Sequence, residues 1–159
     1  MNRNFRLRPG SPLIDAADPS VAPGNDQDRV PRPFDGDGDL VAIADIGAYE
    51  YPSGEVFDLV FTSNDTLDWE VLPEDQAFNL YRGSLSAVKT QGVYTQNPIF
   101  PIPEQFCEIP ALSVPYSDVY TPTSGKTAIY LVTKVAPTFE GSLGYASDGD
   151  LRPNDYPCP

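Results

Sequence analysis

Two neighbouring stretches decide the fold class: Val56-Phe57-Asp58-Leu59-Val60-Phe61-Thr62 and Thr66-Leu67-Asp68-Trp69-Glu70-Val71. In the first, Phe57, Leu59 and Phe61 recur at every second residue. In the second, Leu67, Trp69 and Val71 alternate with Thr66, Asp68 and Glu70. A period of two marks a strand with one buried face, because successive side chains point to opposite sides. Ser63-Asn64-Asp65 supplies the turn between them. Further on, Phe78-Asn79-Leu80-Tyr81-Arg82 reads as a third strand closed by Gly83. Ala128–Val135 is β-branched, aromatic and apolar on both faces until its end, the pattern of a central strand. Ser142-Leu143-Gly144-Tyr145 reads as a returning edge strand. Pro98, Pro101, Pro103, Pro110, Pro115 and Pro122 forbid a central strand around residues 92–120, which leaves edge pieces and loops. No 3.6-residue stripe lasts three turns, so no helix is expected. The fold class is therefore all-β, an antiparallel sandwich of short strands.

Outward from that region the composition changes at Tyr51-Pro52-Ser53-Gly54. Residues 1–52 are dense in Pro, Gly and Asp and lack a sustained apolar run. The expected organisation is a loop-rich segment with short strands over residues 1–52, then a sandwich over residues 53–159. The whole chain has 159 residues, 23 acidic and 10 basic, for a formal charge of −13. Such a chain is a poor partner for nucleic acid or an anionic membrane surface, both of which need clustered Lys and Arg. It has no His. That removes Ser-His and Cys-His nucleophiles, His-ligated metals and His bases together. No stretch is apolar for long enough to span a bilayer. Residues 1–10 have neither the apolar core nor the cleavage site of a signal peptide.

The two cysteines, Cys107 and Cys158, form no C-x-x-C pair. Two readings stand: a disulfide, or two separate thiols. Cys158 lies in a proline-rich end with no packing role of its own, and tying the tail to the body would provide one. Closing a loop of that length is worth roughly 4 kcal/mol in the chain-entropy model. The disulfide reading implies an oxidising, extracytoplasmic setting. Asn64-Asp65-Thr66 also fits the N-glycosylation pattern, a short and frequent match.

One run carries chemistry. Asp35-Gly36-Asp37-Gly38-Asp39 sets three carboxylates at alternate positions, with Asp45 beyond and Asp26 and Asp28 before. Carboxylates two apart on a glycine-permitted turn converge, and a hard divalent cation relieves their repulsion. The expectation is a Ca²⁺ site of Asp35, Asp37, Asp39, Asp45 and Asp28; the competing reading is a solvated Asp-Gly turn. The spacing is similar to the first half of an EF-hand or dockerin loop, but Ile46 stands at the twelfth position and no exiting helix follows. Asp148-Gly149-Asp150 is a shorter version and reads as a turn. A glycosidase needs two carboxylates across a cleft, one with a raised pKa, whereas the acids here sit in turns or on polar strand faces. Tyr94, Phe100, Tyr116 and Tyr120 are candidates for a sugar-stacking strip, against core or rim packing.

Two resemblances follow. Residues 55–159 resemble a fibronectin type III-like (immunoglobulin-like) domain, through Trp69 in the second strand, Phe78-Asn79-Leu80-Tyr81-Arg82-Gly83, Tyr130-Leu131-Val132 and Glu140-Gly141-Ser142-Leu143-Gly144. The Tyr-Arg-Gly-Ser start and the ending Arg152-Pro153-Asn154 to Pro157-Cys158-Pro159 resemble a variant at the C-termini of secreted bacterial proteins, in which a mid-domain Cys accompanies the terminal one. Phe5-Arg6-Leu7-Arg8-Pro9-Gly10-Ser11-Pro12-Leu13-Ile14-Asp15-Ala16 and Asp45-Ile46-Gly47-Ala48-Tyr49-Glu50-Tyr51 are similar to the closing segment of choice-of-anchor, pectate-lyase-like parallel β-helix proteins. That resemblance implies missing upstream coils, hence the C-terminal part of a longer chain or a trimmed subunit. A terminal strand such as Phe5-Arg6-Leu7 would then seek a partner: absent sequence, the second domain or another molecule.

The functional expectation is an extracellular, non-catalytic structural or adhesion protein at the cell surface. It would self-associate into a homopolymer by strand addition or attach to a larger surface protein, with Ca²⁺ ordering the first segment. The alternative is the C-terminal accessory region, binding polysaccharide, of a secreted β-helix enzyme.

Overall fold

A computed structural model describes residues 5–8, 10–27, 30–36, 41–51, 55–73, 75–135, 140–144, 146 and 150–159. The chain forms two compact units. The first is Met1–Ser53 with Tyr145–Leu151, and the second is Gly54–Gly144 with Arg152–Pro159.

Among its described residues the second unit holds six strands: β1 (Val60–Phe61), β2 (Thr66–Asp68), β3 (Ala77–Ser84), β4 (Glu104–Pro110), β5 (Tyr116–Ser117) and β6 (Ala128–Val135). They make two three-stranded antiparallel sheets, ordered β1-β2-β5 and β4-β3-β6. Both sheets bury their faces in one core of Leu67, Trp69, Phe78, Leu80, Ile109 and Val132. Three ring pairs join them. Trp69, just after β2, meets Phe78 of β3 at 5.5 Å; Phe61 of β1 meets Tyr130 of β6 at 5.4 Å; Phe106 of β4 meets Tyr116 of β5 at 5.5 Å. Edge-on or tilted ring contacts of this kind add about 0.5–1.5 kcal/mol each beyond area burial.

The period-two stretches do pair, but over shorter spans than their pattern implies. Asp58 has φ +59°, in the left-handed region, and this breaks the first strand. The Glu70 amide still donates to the Phe57 carbonyl at 3.0 Å beyond the break. Glu108, at φ +55°, marks an irregularity between β3 and β4, where the register shifts between Phe78 and Leu80. The Asn79 side chain fills that gap, its Oδ1 accepting from the Glu108 amide at 2.8 Å.

Three expectations require correction. The central strand of the larger sheet is β3, paired on both sides, whereas Ala128–Val135 pairs fully with β3 alone. β3 is buried from Phe78 to Gly83 despite Asn79 and Arg82, so its polar letters hid its position. Among its described residues the returning segment makes an isolated bridge, Val135 to Glu140, and residues 142–144 belong to no strand; Tyr145 lies outside the described residues. A helix is present: α1 (Leu85–Gln91) is two turns long and ends at Gly92 in the left-handed conformation, with φ 70°. Two turns are too short to leave a readable stripe. Among the described residues no helix is long and apolar enough to cross a membrane.

Among its described residues the first unit holds turns and isolated bridge positions, at Asn25 paired with Pro31 and at Leu151, in place of the short strands expected. Its two motif halves are stitched together. Ile46 donates its amide to the Leu13 carbonyl at 2.9 Å, and Ala17 donates to Ala44 at 2.8 Å. Arg6 lies over the Tyr49 ring at 4.7 Å.

Candidate functional site

In the first unit, side-chain carboxylates replace a strand ladder as acceptors for backbone amides. Asp45 is 1% exposed; its Oδ1 accepts from the Asp15 amide at 2.8 Å and its Oδ2 from the Tyr51 amide at 2.5 Å. Glu50 is 2% exposed. Its Oε1 accepts from the Asp45 amide at 3.0 Å and its Oε2 from the Phe34 amide at 3.1 Å. Arg32 Nε sits 2.8 Å from Glu50 Oε1, an ion pair whose angle is too bent for a hydrogen bond, while Arg32 Nη2 donates to the Gly47 carbonyl at 2.8 Å. Asp26 accepts from the Val30 and Glu50 amides, and Asp15 Oδ1 accepts from Gly36 at 3.2 Å. Burial pushes the carboxyls of both Asp45 and Glu50 above their ordinary range, against the amides and Arg32 that favour the charged form.

This bears on the calcium ligands read from sequence. Asp28, Asp37 and Asp39 lie outside the described residues. Asp45 spends both oxygens on backbone amides 30 and 6 residues away. Among the described residues no three acidic or thiol groups are arranged to hold a metal ion. Gly36, in the middle of the acidic run, has a packing role: a Cβ there would lie 2.8 Å from the Tyr51 carbonyl oxygen and 2.9 Å from the Ile14 side chain. The paired motifs legible in the sequence thus hold one another, and the acids within them are the means.

The second unit buries two polar clusters. In one, Arg82 pairs with Asp118, both nearly inaccessible. Its Nε donates to the Ile102 carbonyl at 2.8 Å, its Nη2 lies 3.7 Å from Glu104, and its guanidinium covers the Tyr120 ring at 4.1 Å. Tyr130 donates to Asp118 Oδ2 at 2.9 Å; burial first, then the Asp118 charge, pushes its hydroxyl up to about 12. Asp118 Oδ1 accepts from the Tyr120 amide at 3.2 Å.

The other cluster clamps the C-terminal tail. Glu140 Oε1 accepts from Asn79 Nδ2 at 2.9 Å, from the Thr133 hydroxyl at 2.5 Å and from the Tyr81 hydroxyl. Its Oε2 accepts from Asn154 Nδ2 at 3.0 Å. Tyr81 in turn accepts from the Cys158 amide at 2.9 Å. Burial pushes the Tyr81 hydroxyl up to about 12. Cys107 of β4 and Cys158 form the disulfide, with Cα atoms 5.7 Å apart. The Tyr156 amide donates to Thr95 Oγ1 at 2.9 Å, and Gln105 Nε2 donates to the Tyr156 carbonyl at 2.7 Å. Arg152 Nη1 donates to the Leu143 carbonyl at 2.8 Å.

The four surface aromatics do not form a strip. Tyr116 packs against Phe106 and Tyr120 lies under Arg82. Tyr94 lies 5.8 Å from the Arg152 guanidinium, and Phe100 is 61% exposed beside a cavity. Sequence reading missed Tyr81, Glu140 and Asn154, whose only signal was polar letters in a sheet and a tail. Compared with known proteins, the chain matches no family model, no curated protein and no solved structure.

Proposed function

We propose that this chain is an extracellular structural module of adhesion or assembly, with a fibronectin type III-like sandwich as its stiff part. The clamped tail is the observation that carries this reading. A disulfide, a buried Tyr–Glu–Asn cluster and backbone bonds to Thr95 and Gln105 hold residues 152–158 along the unit. A chain end secured in this way resists proteases and pulling, and the disulfide persists in oxidising compartments. The strand order supports the sandwich assignment, because β5 returns to the sheet of β1 and β2 between β4 and β6, the Greek-key habit of such folds.

Assembly draws support from the outer strand β1, where Val60 and Phe61 are 51% and 55% exposed. An apolar edge strand invites pairing with another chain. The partner strand in this reading is the exposed segment at Phe5, and Ca²⁺ at Asp35, Asp37 and Asp39 is an ordering ligand of the first unit. Negative-stain microscopy of the oxidised chain tests the reading. Filaments or ordered oligomers that depend on calcium are expected. Monomers at every concentration, with calcium and with EGTA alike, overturn it.

The second reading, an accessory region that binds polysaccharide, is favoured by the cavity beside Phe100.

A further inference from the structure

A cavity of about 360 Å³ opens between α1 and the loop of residues 96–103. It falls within the range of small-ligand sites, about 300–1,000 Å³. No charged side chain lines it, in a chain whose formal charge is −13. Its aromatic lining residues are Phe100 and Tyr156, 61% and 41% exposed. Its polar groups are Ser84 and the amides of Gln91, Gln96 and Asn97.

The walls are built in advance. The Gln96 amide is locked against β3: Oε1 accepts from the Ser84 amide at 2.9 Å, and Nε2 donates to the Ser84 and Val93 carbonyls at 3.0 and 3.2 Å. Gly83 leaves room for it, since a Cβ there would lie 3.1 Å from Gln96 Nε2. Asn97 Oδ1 accepts from the Ile99 amide at 3.1 Å, which orients the carboxamide. Tyr156 is placed by its own backbone, through Thr95 and Gln105, next to the disulfide. Pro101 and Pro103 stiffen the loop.

We propose that this cleft binds an uncharged pyranose unit of a polysaccharide, stacked on Phe100 and Tyr156 and hydrogen-bonded at the rim by Gln91 and Asn97. A pyranose has an apolar C–H face and a rim of hydroxyls that both donate and accept. Aromatic faces match the first and carboxamides match the second. An acidic sugar would meet no cation in the lining. An extended peptide would find a helix and a proline-bearing loop for walls, neither of which offers a strand edge. The proposal names the ligand class of the polysaccharide reading and rests on it. It does not depend on assembly, so its failure and the failure of the microscopy test are separate results.

The test is amide NMR on the ¹⁵N-labelled, oxidised full chain, titrated with neutral gluco-, manno- and xylo-oligosaccharides. An oligogalacturonate and a proline-rich apolar peptide serve as comparators. Shifts at Gln96, Phe100 and Tyr156 with a neutral oligosaccharide are expected, weakened about tenfold by Phe100→Ala. Tyr156→Leu keeps the backbone bonds of the tail and is expected to weaken binding similarly, with an unchanged melting temperature. The proposal is overturned if no neutral sugar shifts these amides, if only the peptide or the acidic sugar does, or if both variants bind like the parent.

Discussion

The Cys158 amide donates to the Tyr81 hydroxyl at 2.9 Å, so the disulfide-bearing tail and the central strand of the larger sheet share one hydrogen bond. Tyr81 passes its own proton toward Glu140, which also holds Asn154 of the tail. Covalent and hydrogen-bonded restraints therefore act on the same seven residues. Reduction of the disulfide, or Cys158→Ser, should lower stability by roughly 4 kcal/mol, as expected for a loop of this length. Tyr81→Phe should cost less, about 1–3 kcal/mol, by leaving the Cys158 amide and Glu140 each short of a partner. Denaturant unfolding of the three forms gives both numbers. A reduced protein as stable as the oxidised one contradicts the clamp.

Alkali should loosen the second unit late. Tyr81 and Tyr130 both titrate near 12 in the folded chain, against 10.0 unperturbed. Each hydroxyl is favoured in its neutral form by folding. Its contribution is fully present below pH 10 and is lost as the pH rises through about 12. Phenolate absorbance should show Tyr81 and Tyr130 ionising only as near-ultraviolet dichroism collapses. Ionisation of both before the collapse would contradict their burial.

Arg82→Met should cost about 3–5 kcal/mol, because Asp118 would be left buried and charged. Arg82→Met combined with Asp118→Asn should cost less than the sum of the two single changes, since the stranded charge is gone. Chemical denaturation of all four forms measures the coupling. Strict additivity would mean that the pair is not a unit.

Asp45 and Glu50 should contribute oppositely to ordinary acid-labile carboxylates. Desolvation raises the folded pKa values of Asp45 and Glu50 above 3.8 and 4.5. The folded state therefore holds protons that the unfolded chain releases. This stability is fully present below the unfolded values and is lost as the pH rises through the folded ones. Protection factors for the amides of Asp15, Asp45 and Tyr51 should increase as the pH falls from neutral toward the unperturbed carboxylate values. Glu50→Gln should flatten that slope. Asp45→Ala should strand two amides at a cost of roughly 2–4 kcal/mol in mild acid, and less at neutral pH, where removal of a desolvated charge offsets part of it. Protection that falls on mild acidification would contradict the desolvation of Asp45 and Glu50.

Gly36→Ala places a methyl group against the Tyr51 carbonyl oxygen and the Ile14 side chain. Loss of first-unit amide protection is expected, by about 1–3 kcal/mol of overpacking. If protection is unchanged while the Asp35 region loses affinity for Ca²⁺, the glycine serves the ion instead of the packing.

Period-two spacing placed Leu67 and Trp69 in the core, while Phe61 and Val71 of the same pattern stay exposed; the prolines of residues 92–120 left edge pieces and loops there, and β4 and β5 are edge strands. A cysteine stranded in a proline-rich end had one useful partner, and Cys107 is that partner. The pattern could not identify β3 as the central strand. Asn79 and Arg82 read as surface residues until Glu140, Glu108 and Asp118 arrive from 61, 29 and 36 residues away to satisfy them. Nor could composition explain how a segment poor in apolar residues becomes ordered. Local rules act over a few residues and leave a period in the chain, so strands, turns and the choice of an all-β fold were legible. Carboxylates that collect backbone amides across 16–30 residues leave no period. Their meeting, and the cleft walled by Tyr156 and Phe100, exist only once the chain has closed on itself.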